Sequence, residues 1–433
     1  GGYYYTLVLI LGEADKLTDE YVKAAEEALK QQTTDALIDE VLKELREEDG
    51  VQEEIDEQVR KHRKSQKTKR IIAAVLIIVV VVAMALVINL RTYTTSRVST
   101  TYEINAEGNV SYLEFGNGVL KYSKDGIALV NRKGDEEWNQ PYQIKNPIVN
   151  TWQDEAVVVA DKGGNTIMVM DKKGLKGEMQ TALPVERVSV SSQGIVCAVL
   201  TTNASPKLVC YDAEGNVLVE LTTSLSGTGY PMDVSLSEDG KMLLVSYLSV
   251  QKGQILTKVV YYSFDGTKEK SQDYEVTSDE YPGVVAASAY YMDADTSAVV
   301  TDNSLLIYKG AEKPKLSKNI TINKKIKSAF HSDKYIGLVL KNEGKGGYEL
   351  CLYNKSGKKI LSEDFTGDYA NVKISGSQVL MYDGKKCSVY TRNGIHKYQG
   401  EVDDVILEIF PTFGVNKYIV MSANGMEVVR FVK

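Results

Sequence analysis

KLVCYDAEG, residues 207–215, runs from strand-forming residues into a turn that ends in glycine, and the chain repeats this pattern. Similar runs recur as GIALVNRKG, TIMVMDKKG, VVYYSFDG, SLLIYKG, ELCLYNKSG and CSVYTRNG. Their final glycines are Gly134, Gly174, Gly215, Gly266, Gly310, Gly357 and Gly394, which gives steps of 40, 41, 51, 44, 47 and 37 residues. That period suits a four-stranded antiparallel sheet repeated around an axis, the blade of a β-propeller.

Two further strand-like runs precede each turn in a fixed order, VERVSVSS and IVCAVLTT in one unit, NVKISGSQ and QVLMYDG in another. Val, Ile, Leu, Tyr and Thr dominate them, with Gly, Asn, Asp and Lys at the joints. No stretch past Leu90 shows sustained helical periodicity, so residues 100–433 read as all-β. After Gly394 come VILEIFPT, KYIVMSA and MEVVRFVK, three strands of an eighth unit that lacks its fourth. TTYEINA, residues 100–106, is a strand left over ahead of the first unit, and pairing it with MEVVRFV closes the ring and removes its open edges. Eight blades is the expectation, with seven the alternative if two weak units merge.

Ahead of the ring, Ile71–Leu90 is an uncharged run of Ile, Val, Leu and Ala, long enough to cross a hydrocarbon core as a helix. Its leading flank carries Arg60, Lys61, Arg63, Lys64, Lys67, Lys69 and Arg70, whereas the trailing flank has only Arg91 and Arg97 before Lys121. By the positive-inside rule the amino terminus is cytoplasmic, the basic run 60–70 meets the anionic inner leaflet, and the ring lies outside the plasma membrane. Residues 91–99 form a tether of at most about 32 Å.

Residues 1–59 are a separate cytoplasmic segment with seventeen acidic and five basic side chains. YYYTLVLIL reads as a short buried strand, and Thr18 and Thr34 as helix N-caps with acidic residues behind them. Leu37, Val41 and Leu45, with Ile38 and Leu42 beside them, form one apolar stripe, expected to pack in a helical hairpin. The chain opens on Gly-Gly without methionine, the mark of a trimmed or incomplete start, so no function is argued from that end.

Composition narrows the chemistry. A net charge of -7 and a pI near 5.4 argue against nucleic acid as a partner. Cys197, Cys210, Cys351 and Cys387 form no C-x-x-C pair. Cys197 and Cys210 face each other across one hairpin; free thiols and an oxidised pair both fit, with free thiols favoured because a cross-strand bridge strains disulfide geometry. Past the apolar run there are only two histidines, His331 and His396, in no metal-binding spacing, and they read as ordinary surface or hydrogen-bonded residues. Asp293, Asp295 and Ser297 alternate like the opening of a calcium loop, but the sixth-position glycine is missing and Ser304 stands where the glutamate belongs. An Asp-rich turn is the better reading. The chain contains no nucleophile elbow and no phosphate-binding loop. No residue is therefore assigned to catalysis, a cofactor or a metal. What stands out is 27 tyrosines against two tryptophans, with clusters at Tyr261, Tyr262 and at Tyr290, Tyr291. SYLSVQKGQILTK and DGTKEKSQDYEVTSDEYPG in the fourth unit are expected to be extended loops, where specificity usually resides.

GIALVNRKGDEEW and KLVCYDAEGNVLVEL resemble the blades of quinoprotein-like propellers, in which a strand runs through such a turn into a strand that carries a docking tryptophan. Trp138 holds that place, and Met179, Leu221 and Leu361 hold it elsewhere; the Trp-Asp dipeptide of the WD-repeat family is missing. The whole plan over residues 60–433 resembles an uncharacterised family of Gram-positive membrane-anchored propellers, a domain of unknown function. With no catalytic motif found, the favoured reading is a non-enzymatic envelope module that docks a protein or a cell-wall component. The alternatives are a transmembrane sensor and, third, a quinone-dependent or glycan-cleaving enzyme.

Overall fold

The computed structural model describes residues 27, 34, 36–39, 52–106, 108–265 and 274–433. The chain divides into two units, Gly1–Leu86 and Val87–Lys433. In the first, Thr34 and residues 36–39 are helical, with Leu37 and Ile38 exposed. The expected strand at 3–11, Thr18, Val41, Leu42 and Leu45 lie outside the described residues, as does Gly266. Helix α1 (Gln52–Leu90) carries the basic run on its exposed surface. Its Val59–Leu90 part is long and apolar enough to cross a membrane, and the apolar side chains from Ile71 to Leu90 are all exposed.

The second unit is all-β. Among the described residues its thirty-two strands, β1 to β32 in chain order, form eight four-stranded antiparallel sheets, the eight blades of a propeller. Blades 1 to 7 occupy residues 111–141, 147–180, 185–222, 230–282, 286–321, 326–365 and 371–401. Blade 8 is built from β30 (Glu408–Pro411), β31 (Lys417–Ser422) and β32 (Gly425–Val432), completed by β1 (Thr95–Tyr102). The middle strands of a blade are covered on both faces, which is why β7 (Ala156–Asp161, AVVVAD) is an unbroken apolar run. The outermost strands alternate instead, as β5 (Glu136–Pro141) does.

The repeated glycines have a structural cause. In the 212–216 turn, Asp212 Oδ1 accepts from Glu214 N at 3.0 Å and Asn216 N at 2.9 Å, and Gly215 follows at φ +91°. Asn131 and Asn354 fix their turns in the same way. The outermost strand of the preceding blade rests against four of these glycines: Trp138 against Gly174, Met179 against Gly215, Ile320 against Gly357 and Leu361 against Gly394. The docking position accepts any apolar side chain, so the fold persists where its tryptophan is replaced. Gly215→Ala is expected to lower stability by about 1–3 kcal/mol, because the positive φ is strained for alanine and the new Cβ would stand 3.0 Å from Met179 Cβ. A thermal unfolding scan checks it; an unchanged midpoint would refute the packing described.

β1 closes the ring on β32 in the expected antiparallel sense, Thr95 opposite Val432 and Tyr102 opposite Met426. It starts at Thr95, five residues before the expected position, because Thr95–Val98 pair with the otherwise open end of β32. The expected nine-residue tether is thus reduced to Arg91–Thr94, and even this stretch is bonded. Tyr93 N donates to Lys397 O at 2.8 Å and Gln399 N to Tyr93 O at 3.2 Å, both on β29 (His396–Glu401). Thr92 Oγ1 donates to His396 O at 2.7 Å, and Lys397 Nζ caps α1 by donating to Ile88 O and Asn89 O at 3.2 and 3.1 Å.

Two other expectations are corrected or resolved. SYLSVQKGQILTK is no loop: it is the hairpin of β15 (Met242–Gln251) and β16 (Gln254–Ser263), closed by Lys252 and Gly253 at φ 52° and 78°. These positive angles match the twist of the strands, so the sheet simply continues. DGTKEKSQDYEVTSDEYPG contains β17 (Glu275–Pro282), with 266–273 outside the described residues. Cys197 and Cys210 lie opposite each other on β11 (Val196–Leu200) and β12 (Lys207–Tyr211) as free buried thiols.

Candidate binding site in the axial cavity

The innermost strand of each blade has one edge facing the axis, where its backbone donors lack a strand partner. Side chains of the neighbouring blade fill them. Asn150 Oδ1 accepts from Val190 N at 3.0 Å, Ser189 Oγ from Leu236 N at 3.0 Å, Asp233 Oδ2 from Ala289 N at 2.9 Å and Ser235 Oγ from Tyr291 N at 2.9 Å. These bonds draw blades 2 to 5 together, and one continuous apolar core unites them, with Trp152, Val190, Ala289 and Tyr291 at its inner side. Gln153, at φ 46°, reaches across to donate to Met292 O at 3.3 Å. The axis is filled on this side.

The space displaced by that convergence lies on the other side, a cavity of about 860 Å³ lined by blades 1, 6, 7 and 8. The lining strands are β2 (Ser111–Phe115), β22 (Ile326–His331), β26 (Asn371–Ser375) and β30. Three of them bring one charge each to a common point. Lys373 Nζ bonds Glu114 Oε2 at 2.8 Å and Glu408 Oε1 at 3.0 Å. Ser375 Oγ donates to Glu114 Oε1 at 2.7 Å, while Glu114 N and Ile409 N donate to Glu408 at 3.0 and 2.9 Å. Glu408 is nearly sealed, its side chain 5% exposed, whereas Lys373 and Glu114 keep 20% and 24% open. The cluster holds the inner strands of blades 7, 8 and 1 in register.

His331 faces this cavity and stacks on Tyr290, ring centres 3.5 Å apart. Its side chain is exposed to the solvent of the cavity, but the surrounding blades withhold part of its hydration, and this desolvation pulls its imidazole down to about 4. The unfolded imidazole, at about 6.5, takes up its proton first, so this group's contribution to stability is complete above pH about 6.5 and declines as pH falls toward 4. Glu427 acts in the opposite sense: burial, with Asp404 bonded beside it, raises its carboxyl to about 7. Because the two slopes oppose each other, the check is residue-specific. NMR titration is expected to find His331 still neutral at pH about 5, and protonation near 6.5 would show that the imidazole is fully solvated.

Other residues singled out from the sequence serve packing. His396 stacks on Tyr390 and shares a 2.9 Å hydrogen bond with Ser388. Asp293 shapes a turn, accepting from the N–H groups of Asp295 and Thr296 and pairing with Lys355. Burial works against its ionised form, but Lys355 and these N–H groups together hold the carboxyl at about 2. Ser297 bonds the Tyr261 hydroxyl instead. Tyr261, Tyr262, Tyr290 and Tyr291 are all buried between blades, so these clusters serve blade packing; the spacing that places them in strands also turns them inward. Glu114, Lys373 and Glu408 were not found by motif reading. Their one signal is a charge inside a short inner strand, in SYLEF, NVKIS and EIFP.

Two of the solved structures that are similar to this chain illustrate the likeness. One is the crystal structure of the eukaryotic initiation factor, with 12% identity, 68% of this chain and 79% of that chain covered, and a TM-score of 0.44. The other is the Neurospora crassa Pan2 WD40 domain, with 10% identity, coverage of 66% and 90%, and a TM-score of 0.39. No curated protein matches the sequence. The profile of the family of unknown function DUF5711 matches residues 89–431, nearly the whole ring, and the chain belongs to that family.

Proposed function

We propose that the protein is a single-pass membrane protein whose propeller works outside the cell as a non-enzymatic binding module for an envelope partner, protein or wall component. The observation that carries this reading is the placing of the cavity. It lies on the axis, and its lining runs along the inner strands, at 110–114, 328–331, 370–374 and 407–408. An axial cavity of this size gives part of a partner room to enter the ring. Both carboxylates in the cavity are hydrogen-bonded to the same ammonium, an arrangement suited to holding a shape rather than to exchanging protons. The basic run from Arg60 to Arg70 suits anionic lipid, and the net charge of -7 disfavours nucleic acid.

Protease added to cells stripped of their wall is expected to digest the ring and spare the first sixty residues; the reverse pattern would refute the topology. Crosslinking in intact cells is expected to attach a partner to ring residues. A second reading, a transmembrane sensor, is favoured by the clasp of Thr92, Tyr93 and Lys397, which ties the end of α1 to blade 7 and offers a route from ligand to helix.

A further inference from the structure

We infer that the axial cavity beside blades 1, 6, 7 and 8 binds a neutral oligosaccharide. This deepens the binding-module reading and rests on it. The cavity, at about 860 Å³, has the size of a small-molecule site, which typically spans about 300–1,000 Å³. Its charges decide what enters. Glu408 is committed to Lys373 and two backbone donors, so little of its capacity remains. Lys373 has spent two of its three donors, and Glu114 accepts from Lys373 and Ser375 with lone pairs to spare.

What faces the cavity is therefore one donor beside one acceptor. A hydroxyl group, donor and acceptor at once, satisfies both together, and a sugar presents several in a row. The three charges sum to -1, so an anion meets repulsion from two carboxylates and no free cation. A cation would have to compete with Lys373, and displacing a bonded ammonium leaves a nearly buried carboxylate to be satisfied. Tyr122, half-buried in the wall, supplies ring surface against which the apolar face of a sugar packs, beside the largely buried Tyr382 and Phe330, and Ser328 and Asn371 add neutral hydrogen-bonding groups.

The test uses the full chain in a micelle of a non-glycosidic detergent, since maltoside or glucoside headgroups would occupy the site. Calorimetric titrations employ chitotetraose, maltotetraose and cellotetraose, with tetragalacturonate as the anionic and spermidine as the cationic probe. At least one neutral tetrasaccharide is expected to bind saturably. Ala329→Trp, which fills the cavity wall, and Ala370→Trp, at the exposed rim, are each expected to raise its dissociation constant about tenfold or more. Should a variant fail to fold, photo-crosslinking the unaltered chain with diazirine-labelled chitotetraose decides, and attachment must fall within 110–122, 328–331, 370–382 or 407–408. Absence of binding by all three neutral probes, attachment elsewhere, or preference for either charged probe would overturn the inference. Capture of a protein partner in cells together with any of these would leave the binding module standing and remove only the saccharide.

Discussion

Lys373→Met is expected to destabilise the ring by about 3–5 kcal/mol, the size of effect seen when one partner of a buried ion pair is removed. The cost arises from what remains. Glu408, 5% exposed, and Glu114 would share the cavity floor without the ammonium that both now bond. Methionine fills a similar volume and leaves packing nearly unchanged, so the charge is the variable. The triple substitution Lys373→Met, Glu114→Gln, Glu408→Gln is expected to recover most of the stability, because it removes the stranded charges together. Denaturant unfolding of parent, single and triple variants measures this. A single variant within about 1 kcal/mol of the parent would mean that water screens the cluster.

Phe431→Ala is expected to cost about 3–5 kcal/mol, the range for emptying a phenyl-sized core site. Phe431 is 2% exposed and stacks on Tyr398 at 3.7 Å and Tyr418 at 4.4 Å, joining blade 8 to blade 7 where the ring closes. Its strand, β32, is also the only strand partner of β1 among the described residues. Loosening it therefore opens the ring where its two ends pair, and limited proteolysis is expected to cut within Thr95–Tyr102 well before any other blade. Unchanged cleavage kinetics would show that closure does not depend on this packing.

The blade repeat was legible because it is local. A glycine at positive φ after an Asp or Asn that caps its own turn is fixed by four or five consecutive residues, and so is an apolar run that needs cover on both sides. The closing strand was legible for a related reason: eight units with one strand missing and one strand spare leave a single economical pairing, although its true start at Thr95 depended on hydrogen bonds to β32. The tyrosine clusters stayed ambiguous because alternation says that a side chain faces a neighbour without saying whether that neighbour is protein or solvent.

The sequence by itself determined an apolar helix at 71–90 and a β-propeller of eight or seven blades, with eight preferred, since helix length, strand pattern and turn chemistry are each encoded within a few residues. Only the tertiary structure decided that the axis is filled beside blades 2 to 5 and open beside the other four, and that Lys373 meets Glu114 and Glu408. Those residues are 259 and 35 positions away from it. No local preference links them; they meet because closing the ring brings the inner strands of blades 7, 8 and 1 around one axis, where a buried charge must find its partner.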